Sequence, residues 1–373
     1  MKLHSIQALR GVAVLLVFLY HVSSMESAAL AASGSAENPL VAGIWSNGYA
    51  GVDLFFVISG FIMVFVTGLV TPSAKTSGAF LFARVARIYP LWWVFAALSA
   101  VGFLLSTGSP VNAERLAANG VSDGQHIVSS FLLLPHPVYP ILSVGWTLIH
   151  EVYFYIVFAA LLLVPRRYLP GLLAVWGIIV AAGAYAGLSG PVATNILTLI
   201  FHPMTLEFIL GAFAGLLVVN GRRWRPGLIA LIGTVWMIAA LTFQGDDDAA
   251  LLEWGRVMWF AMPCTLIVYG FASLDIAGRI KLPSALVDLG DWSYAFYLSH
   301  MLTLKALETL SPIAADRLES AGINAPFLTS MLRIGSPGLA DNLFFFIAGL
   351  MLAIIVSWIA YRFVEKPLLR GLG

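Results

Sequence analysis

The sequence predicts an all-α, polytopic membrane protein, and three observations support this fold class. Of the 373 residues, 60% are hydrophobic and only 10% are charged, and the mean hydropathy is +0.91, far from an ordinary soluble composition. Apolar windows of about 20 residues recur, which is the length that a helix needs to cross a hydrocarbon core of about 30 Å. Lysines and arginines concentrate on alternate connections between the windows. We therefore predict one membrane domain over residues 1–373, with no appended soluble domain.

The apolar windows predict ten membrane-spanning helices. They fall at residues 5–24, 44–69, 80–106, 141–164, 170–188, 195–219, 226–243, 254–274, 285–310 and 341–364. The apolar segment at 126–134 is too short to span and is predicted to be an interfacial or re-entrant helix in the loop at 107–140. Near the C-terminus, Pro367 is predicted to stop the last helix.

The distribution of basic residues predicts the orientation of these helices. Fifteen of the 20 lysines and arginines fall on the side that carries the N-terminus. The other five are Arg115, Arg256, Lys305, Arg317 and Arg333. Because basic residues accumulate on cytoplasmic loops, both termini are predicted to be cytoplasmic. The acidic loop at 244–253 then falls on the outer side.

Several classes of function lack support in the sequence. The single cysteine, Cys264, excludes an internal disulfide and a cysteine metal cluster. No H-E-x-x-H spacing, Walker-type loop or G-x-S-x-G turn is present, so a zinc protease, an ATPase and a serine hydrolase are not indicated. The N-terminal segment imitates a secretory signal peptide, because Lys2 and an apolar core precede a run of small residues at 27–36. From composition alone, cleavage of that segment stays an alternative.

Ionisable residues inside the predicted spans mark a candidate site, because each costs roughly 2.5–3.5 kcal/mol to insert. Arg10 and His21 are eleven residues apart, so on a helix they differ in direction by about 20° and lie roughly 16 Å apart along the axis. They therefore share one face. Counting from the helix ends places six residues in the outer half of the bilayer: His21, Asp53, Glu151, His202, Glu207 and His300.

Each of these residues also has a structural interpretation. A lone histidine such as His21, His202 or His300 is more often a hydrogen-bonded packing residue than a catalyst. His150 precedes Glu151 directly, so it points about 100° away from that carboxylate and is the weaker candidate. Six ionisable residues in one depth zone are less easily explained by packing.

The remaining charged candidates have the same two interpretations. Asp53 could be a structural anchor, and Arg84 and Arg87 could be snorkelling residues at the cytoplasmic end of the third helix. A carboxylate within an apolar span, such as Glu151, indicates function by default. As a set, the residues fit acid–base chemistry, in which an imidazole oriented by a carboxylate takes the proton from a hydroxyl that attacks a carbonyl. Direct transfer of this kind needs no protein nucleophile.

Six motifs occur in a consistent order between residues 3 and 368. They are LRGVAVLLVFLYH, GVDLFFVISGFIM, FARVARIYPLWW, WTLIHEVYFY, SYAFYLSHML and YRFVEKPL. With these motifs the chain resembles the acyltransferase-3 family of bacterial inner-membrane acyltransferases, and in particular the exopolysaccharide-modifying branch. The resemblance covers nearly the whole chain, and it depends on all six motifs together.

The resemblance implies an activity and a site. Members take an acyl group, usually acetyl, from coenzyme A in the cytoplasm and pass it to a hydroxyl of a carbohydrate acceptor or its lipid-linked precursor. His21 matches the essential histidine of the family and Arg10 its essential arginine. Arg84 and Arg87 match the basic pair of the third helix, and Glu151 matches the acid after the tryptophan motif. Cleavage of a signal peptide would remove the arginine–histidine pair, so the resemblance favours an uncleaved first helix.

These matches predict a division of labour within the site. Arg10, Arg84 and Arg87 are expected to hold the anionic parts of acetyl-CoA, because guanidinium groups suit phosphates. His21 is expected to act as the base, with Glu151 orienting it. No metal is expected. The other residues that we predict around the cavity are Asp53, Ser59, Gly60 and His300.

The expected partners are acyl-CoA, a carbohydrate acceptor and the lipid bilayer of the bacterial inner membrane, and not a nucleic acid. A transporter or flippase of lipid-linked sugars is the main alternative, since ten helices with polar residues near the midplane also describe many carriers. Transfer of succinyl in place of acetyl is a second alternative, and a purely structural membrane component is a third. Two departures from the family are an absent extracytoplasmic hydrolase-like domain and outer loops with few aromatic or charged residues for binding sugars.

Overall fold

The structure is a computed structural model that describes residues 2–34, 39–68, 70–190, 194–244, 254–336 and 339–371. All regular structure in these ranges is helical, which confirms the predicted fold class. The first helices are α1 (His4–Ser33), α2 (Ala50–Val66), α3 (Ala74–Thr107), α4 (Ala113–Ala118), α5 (Asp123–Leu132), α6 (Trp146–Leu161), α7 (Leu169–Tyr185) and α8 (Ile196–Ile200). The remaining helices are α9 (Thr205–Val219), α10 (Pro226–Phe243), α11 (Trp254–Arg256), α12 (Met262–Ile276), α13 (Ser284–Ser320), α14 (Pro326–Met331), α15 (Ala340–Ala360) and α16 (Lys366–Gly371).

Eight helical stretches in the described ranges are long and apolar enough to cross a membrane. They are His4–Ser33, Ala74–Thr107, Ser143–Leu161, Arg166–Tyr185, Ile196–Val219, Pro226–Phe243, Trp254–Ile276 and Ala340–Leu368. The two other predicted spans coincide with α2, which has 17 residues, and with α13, which has 37. The short segment predicted near 126–134 is α5, and its 10 residues are too few to span. Most of the acidic loop, residues 245–253, lies outside the described residues.

The helix core is built around α2, which packs along α9, and α1, which packs along α13. Glycines make the first of these contacts close. A Cβ atom at Gly60 would lie 1.9 Å from the backbone oxygen of Phe208, and a Cβ at Gly211 would lie 2.0 Å from that of Val57. Gly60, which was predicted to lie around the cavity, is instead occupied in this helix contact. Its missing side chain lets two backbones touch, as small residues do between membrane helices.

We expect Gly60→Leu to destabilise the bundle by about 1–3 kcal/mol. The atom that the new side chain would meet is the backbone oxygen of Phe208, which cannot move aside. Gly102→Leu is the matched control, since a Cβ at Gly102 on α3 meets nothing within 4 Å. The measurement is the temperature at which the detergent-solubilised protein loses its monodisperse peak in size-exclusion chromatography. Equal temperatures for the two variants would contradict the packing role of Gly60.

The last membrane helix does not stop at Pro367. A π-helical turn at Tyr361–Glu365 follows α15, and α16 continues the helix from Lys366. Pro367 lies in the first turn of α16, where its missing N–H group is tolerated. Because the chain stays helical here, Glu365 faces the interior and is only 4% exposed.

Candidate active site

Two neighbouring cavities among the described residues contain most of the predicted site residues. The first, here called the arginine cavity, encloses about 800 Å³ with its mouth. Its polar lining consists of Arg10, Ser59, Arg84, Arg87, Thr147, Glu151, Tyr155, Ser293, Tyr294 and Tyr297. The second, here called the histidine cavity, encloses about 1010 Å³ with its mouth. Its lining is Val17, Tyr20, His21, Tyr49, Val52, Tyr139, Ser143, Val144, Trp146, Arg256 and Tyr297.

The arginine cavity brings together charged residues from three helices. Arg10 comes from α1, Arg84 and Arg87 from one face of α3, and Glu151 from α6. The guanidinium of Arg84 lies over the ring of Phe80, with 5.6 Å between its carbon and the centroid. Its Nε atom is buried and has no hydrogen-bond partner in the described part of the chain. The cavity therefore offers unused donors and positive charge to an anionic ligand.

Glu151 belongs to the arginine cavity and does not orient His21. The Oε1 atom of Glu151 accepts two hydrogen bonds. The Ser59 hydroxyl donates one at 3.2 Å, and the Tyr155 hydroxyl donates the other. His21 lines the other cavity, and its Nδ1 atom lies 2.8 Å from the backbone oxygen of Val17. The structure thus separates the predicted acid from the predicted base. Ser59 lines the arginine cavity and positions Glu151 there.

The ring of His21 is oriented by its own helix. Because a carbonyl oxygen only accepts, the contact with Val17 assigns the proton to Nδ1 and leaves Nε2 as the nitrogen that can take a proton. His300 supports this arrangement from α13. Its Nδ1 lies 3.2 Å from the backbone oxygen of Phe296 and its Nε2 lies 3.3 Å from His21 Nδ1. His300 is fully buried and lines neither cavity, so it is a partner of His21 and not part of the wall.

The wall of the histidine cavity is rich in aromatic side chains. Tyr20, Tyr49, Trp146 and Tyr297 come from helices or their ends, and Tyr139 comes from the segment between α5 and α6. Burial raises the pKa of Tyr139, so its hydroxyl stays protonated and can donate a hydrogen bond. The aromatic residues that the outer loops lack are therefore supplied mainly by the helices that surround the cavity.

Asp53 has a structural role, because it forms a buried ion pair with Arg256. The Arg256 Nε atom donates to Oδ1 at 2.8 Å, and Nη2 donates to Oδ2 at 2.8 Å. Arg256 also donates to the backbone oxygen of Tyr49 at 3.1 Å and lies over the Tyr49 ring. Asp53 is 0% exposed and lines neither cavity. The prediction that it lines the cavity is wrong, and its depth in the bilayer reflects this pairing.

The other ionisable residues of the predicted depth zone lie beside this ion pair. Glu207 is fully buried in electrostatic contact with both members of this ion pair, Asp53 and Arg256. His150 and His202 pack ring against ring with 4.6 Å between centroids. The residues predicted at one depth therefore fall into three groups: one around His21, one around Asp53, and Glu151 in the arginine cavity.

Two buried charged residues beside the cavities, Glu365 and Arg256, were not predicted as site residues. Glu365 is buried within electrostatic range of Arg87 and Arg10, so it balances part of the charge at the arginine cavity. It lies in the motif YRFVEKPL, which was interpreted only as a helix end. Arg256 was counted only as a basic residue on the outer side, and its partner is 203 positions away. Nothing in the local sequence reveals that pairing.

An all-helical fold that encloses a basic cavity and a histidine cavity is that of an integral-membrane enzyme with an internal site. The chain belongs to the acyltransferase-3 family, because the model described as "Acyltransferase domain" matches residues 3–362. It is therefore a multi-pass membrane acyltransferase.

Two characterised relatives align with most of the chain. The chain is 29% identical to "Exopolysaccharide production protein ExoZ" of Rhizobium meliloti (strain 1021) over 331 aligned positions, covering 87% of this chain and 90% of that protein. It is 26% identical to "Acyltransferase MdmB" of Streptomyces mycarofaciens over 394 aligned positions, covering 100% of this chain and 93% of that protein. A third relative, "Protein 2 in picA locus" of Rhizobium radiobacter, is 30% identical over 28% of this chain. No solved structure matches the chain.

Proposed function

We propose that this protein is an O-acyltransferase of the bacterial inner membrane. It moves an acyl group, usually acetyl, from cytoplasmic acyl-CoA to a hydroxyl of a surface or exopolysaccharide sugar or of its lipid-linked precursor. The observation that carries the proposal is the placement of three arginines in one cavity and a histidine base in the adjoining one. The likeness to the exopolysaccharide production protein supports a sugar acceptor.

The arginine cavity fits the donor. Coenzyme A carries phosphates at one end and the thioester at the other, and the pantetheine arm separates them. Arg10, Arg84 and Arg87 hold phosphate or polar groups at the predicted cytoplasmic end. Arg10 and His21 lie on one face of α1, roughly 16 Å apart along its axis. The arm runs along that face and directs the thioester toward His21.

The histidine cavity fits a sugar acceptor. Its aromatic walls suit the apolar faces of a sugar ring, and hydroxyls of Tyr139 and Ser143 suit its polar edge. The charge of Arg256 is neutralised by Asp53, which favours a neutral sugar over an anionic one. The acceptor is bound beside the ring of His21.

The residues support direct transfer in one displacement. The acceptor hydroxyl oxygen attacks the thioester carbonyl while His21 Nε2 takes the hydroxyl proton. The carbon–sulfur bond then breaks, and the coenzyme A thiolate receives the proton from the imidazolium. The contact with Val17 and the neighbouring His300 keep the ring in the required orientation. Free coenzyme A and the O-acyl sugar are the products.

The test of the donor site is the steady-state kinetics of membranes supplied with radiolabelled acetyl-CoA and the host polysaccharide. We expect Arg84→Glu and Arg87→Glu to raise the KM for acetyl-CoA at least about tenfold each, because a charge-assisted hydrogen bond to phosphate is replaced by repulsion. Arg167→Glu is the control, since Arg167 is exposed between α6 and α7. An unchanged KM in the α3 variants would refute the donor assignment. Parallel assays with succinyl-CoA identify the acyl group.

A further inference from the structure

Tyr297 on α13 is one of two described residues that line both cavities. Val52 on α2 is the other side chain that the two linings share. Tyr297 is 7% exposed and Val52 is 6% exposed, so both lie between the cavities and not at a mouth. These two side chains form the partition between the arginine cavity and the histidine cavity.

Hydrogen bonds from the start of α6 hold the phenol of Tyr297 in this place. Its hydroxyl lies 2.9 Å from the Thr147 hydroxyl and donates to the backbone oxygen of Val144 at 3.1 Å. Thr147 Oγ1 lies 3.0 Å from the same oxygen, so the two hydroxyl protons are shared among three short contacts. The ring meets Phe55 edge-on, with 6.1 Å between centroids. Neutral hydrogen bonds of this kind contribute little net stability, so they do not by themselves lock the ring in this position.

The partition lies on the path of the proposed reaction. The arginines that hold the donor line one cavity, and His21 lines the other. The thioester must therefore pass Tyr297 and Val52 before an acceptor hydroxyl beside His21 can reach it. We propose that Tyr297 is a gate, closed by Thr147 and Val144 and opened when the acyl end of the donor displaces its ring. This inference rests on the proposed function, since it assigns the donor to one cavity and the acceptor to the other.

A closed gate has a chemical purpose. Water that enters the histidine cavity could attack the thioester carbonyl, break the carbon–sulfur bond and release acetate and free coenzyme A. Tyr297 keeps that water from the donor until the acceptor side is ready, as gating elements in other enzymes do. Thr147 and Val144 are positioning groups for this residue and do not touch the reacting atoms.

The gate is tested with cysteine reporters in sealed membrane vesicles. Ser59→Cys reports on the arginine cavity and Ser143→Cys on the histidine cavity, while the native Cys264 is fully buried. A small charged thiosulfonate reagent is applied to one face at a time. The membrane face from which the reagent labels Ser59→Cys is the face from which the arginine cavity is accessible. From that face, we expect Ser143→Cys to stay unlabelled while Tyr297 is present.

Tyr297→Ala is expected to raise the labelling rate of Ser143→Cys from that face at least about tenfold, because the ring and both of its hydrogen bonds are lost. Thr147→Val keeps the ring of Tyr297 and removes its contact with the Thr147 hydroxyl, so we expect a smaller increase in the labelling rate. This variant tests the gate if Tyr297→Ala does not fold. Tyr294→Ala is the matched control. Tyr294 lies nearly one turn away on α13, lines only the arginine cavity and donates to the backbone oxygen of Ile88.

Two results would overturn the gate. One is equal labelling of Ser143→Cys from both faces while Tyr297 is intact, which means that the cavities are already joined. The other is an unchanged labelling rate in both Tyr297→Ala and Thr147→Val. A second readout is the release of coenzyme A thiol from acetyl-CoA without acceptor, which we expect Tyr297→Ala to accelerate. Labelling does not require acyl transfer, so a protein that never releases coenzyme A would refute the proposed function and still report on the gate.

Discussion

Replacing His21 with glutamine is expected to reduce acyl transfer by about 10²–10⁴-fold, the usual contribution of a general base. Glutamine keeps a side chain of similar reach that can donate to the Val17 carbonyl, but it cannot take a proton at the position of Nε2. In the proposed function the donor binds through Arg10, Arg84 and Arg87, which line the other cavity. We therefore expect the KM for acetyl-CoA to stay within about twofold of the wild-type value, so that the loss falls on kcat.

The measurement is the O-acetyl content of the host's surface or secreted polysaccharide, by proton NMR, in a deletion strain complemented at matched membrane abundance. The control is His136→Gln, since His136 lies in the segment between α5 and α6 and lines neither cavity. Deletion should remove the acetate, and the wild type and His136→Gln should restore it. Full restoration by His21→Gln would end the assignment of His21 as the base. A deletion that altered polymer export and left acetylation intact would favour a transporter.

Replacing Asp53 with alanine is expected to destabilise the protein by about 3–5 kcal/mol, because it leaves the guanidinium of Arg256 buried without its counter-charge. Asp53 is 0% exposed and Arg256 is 2% exposed, so water cannot compensate for the loss. The double variant Asp53→Leu with Arg256→Met removes both charges. We expect it to recover most of the lost stability, since apolar pairs often replace buried ion pairs at little cost.

This cycle is measured as the midpoint of thermal unfolding of each detergent-solubilised variant, at equal expression. The exposed pair Lys305 and Glu308 serves as the comparison, and Glu308→Ala should leave the midpoint unchanged. If Asp53→Ala has the same midpoint of thermal unfolding as the wild type, the ion pair does not anchor α2 to α11. If the double variant is as unstable as the single one, the carboxylate has a second role beside Glu207.

Local features predicted the elements of the fold and part of the site. Helix periodicity places Arg10 and His21 on one face of α1 from their spacing alone, because the rise and turn of an α-helix do not depend on its surroundings. The same reasoning identified α5 as too short to span. Arg84 and Arg87 share a face of α3 for the same reason. Each of these conclusions needs information from only one helix.

Predictions of contacts between residues of two different helices were less accurate. Glu151 was expected to orient His21 because both lie at a similar depth, yet depth does not specify which neighbour a side chain faces. In the bundle Glu151 meets Ser59 and Tyr155. Gly60 was predicted to lie around the cavity, although the backbone of α9 fills the space beside it. The rotation of each helix about its axis decides these contacts, and neighbouring helices determine that rotation through packing.

The sequence by itself determined that this protein is a helical membrane acyltransferase with an arginine and a histidine on one face of its first helix. Composition, window length and motif order carry that information, because they act through the lipid bilayer and through single helices. The tertiary structure alone decided that Arg10, Arg84 and Arg87 line one cavity and His21 lines another, with Tyr297 between them. It also decided that Asp53 is neutralised by Arg256. Both facts arise from contacts between residues far apart in the chain, which form only when the helices pack together.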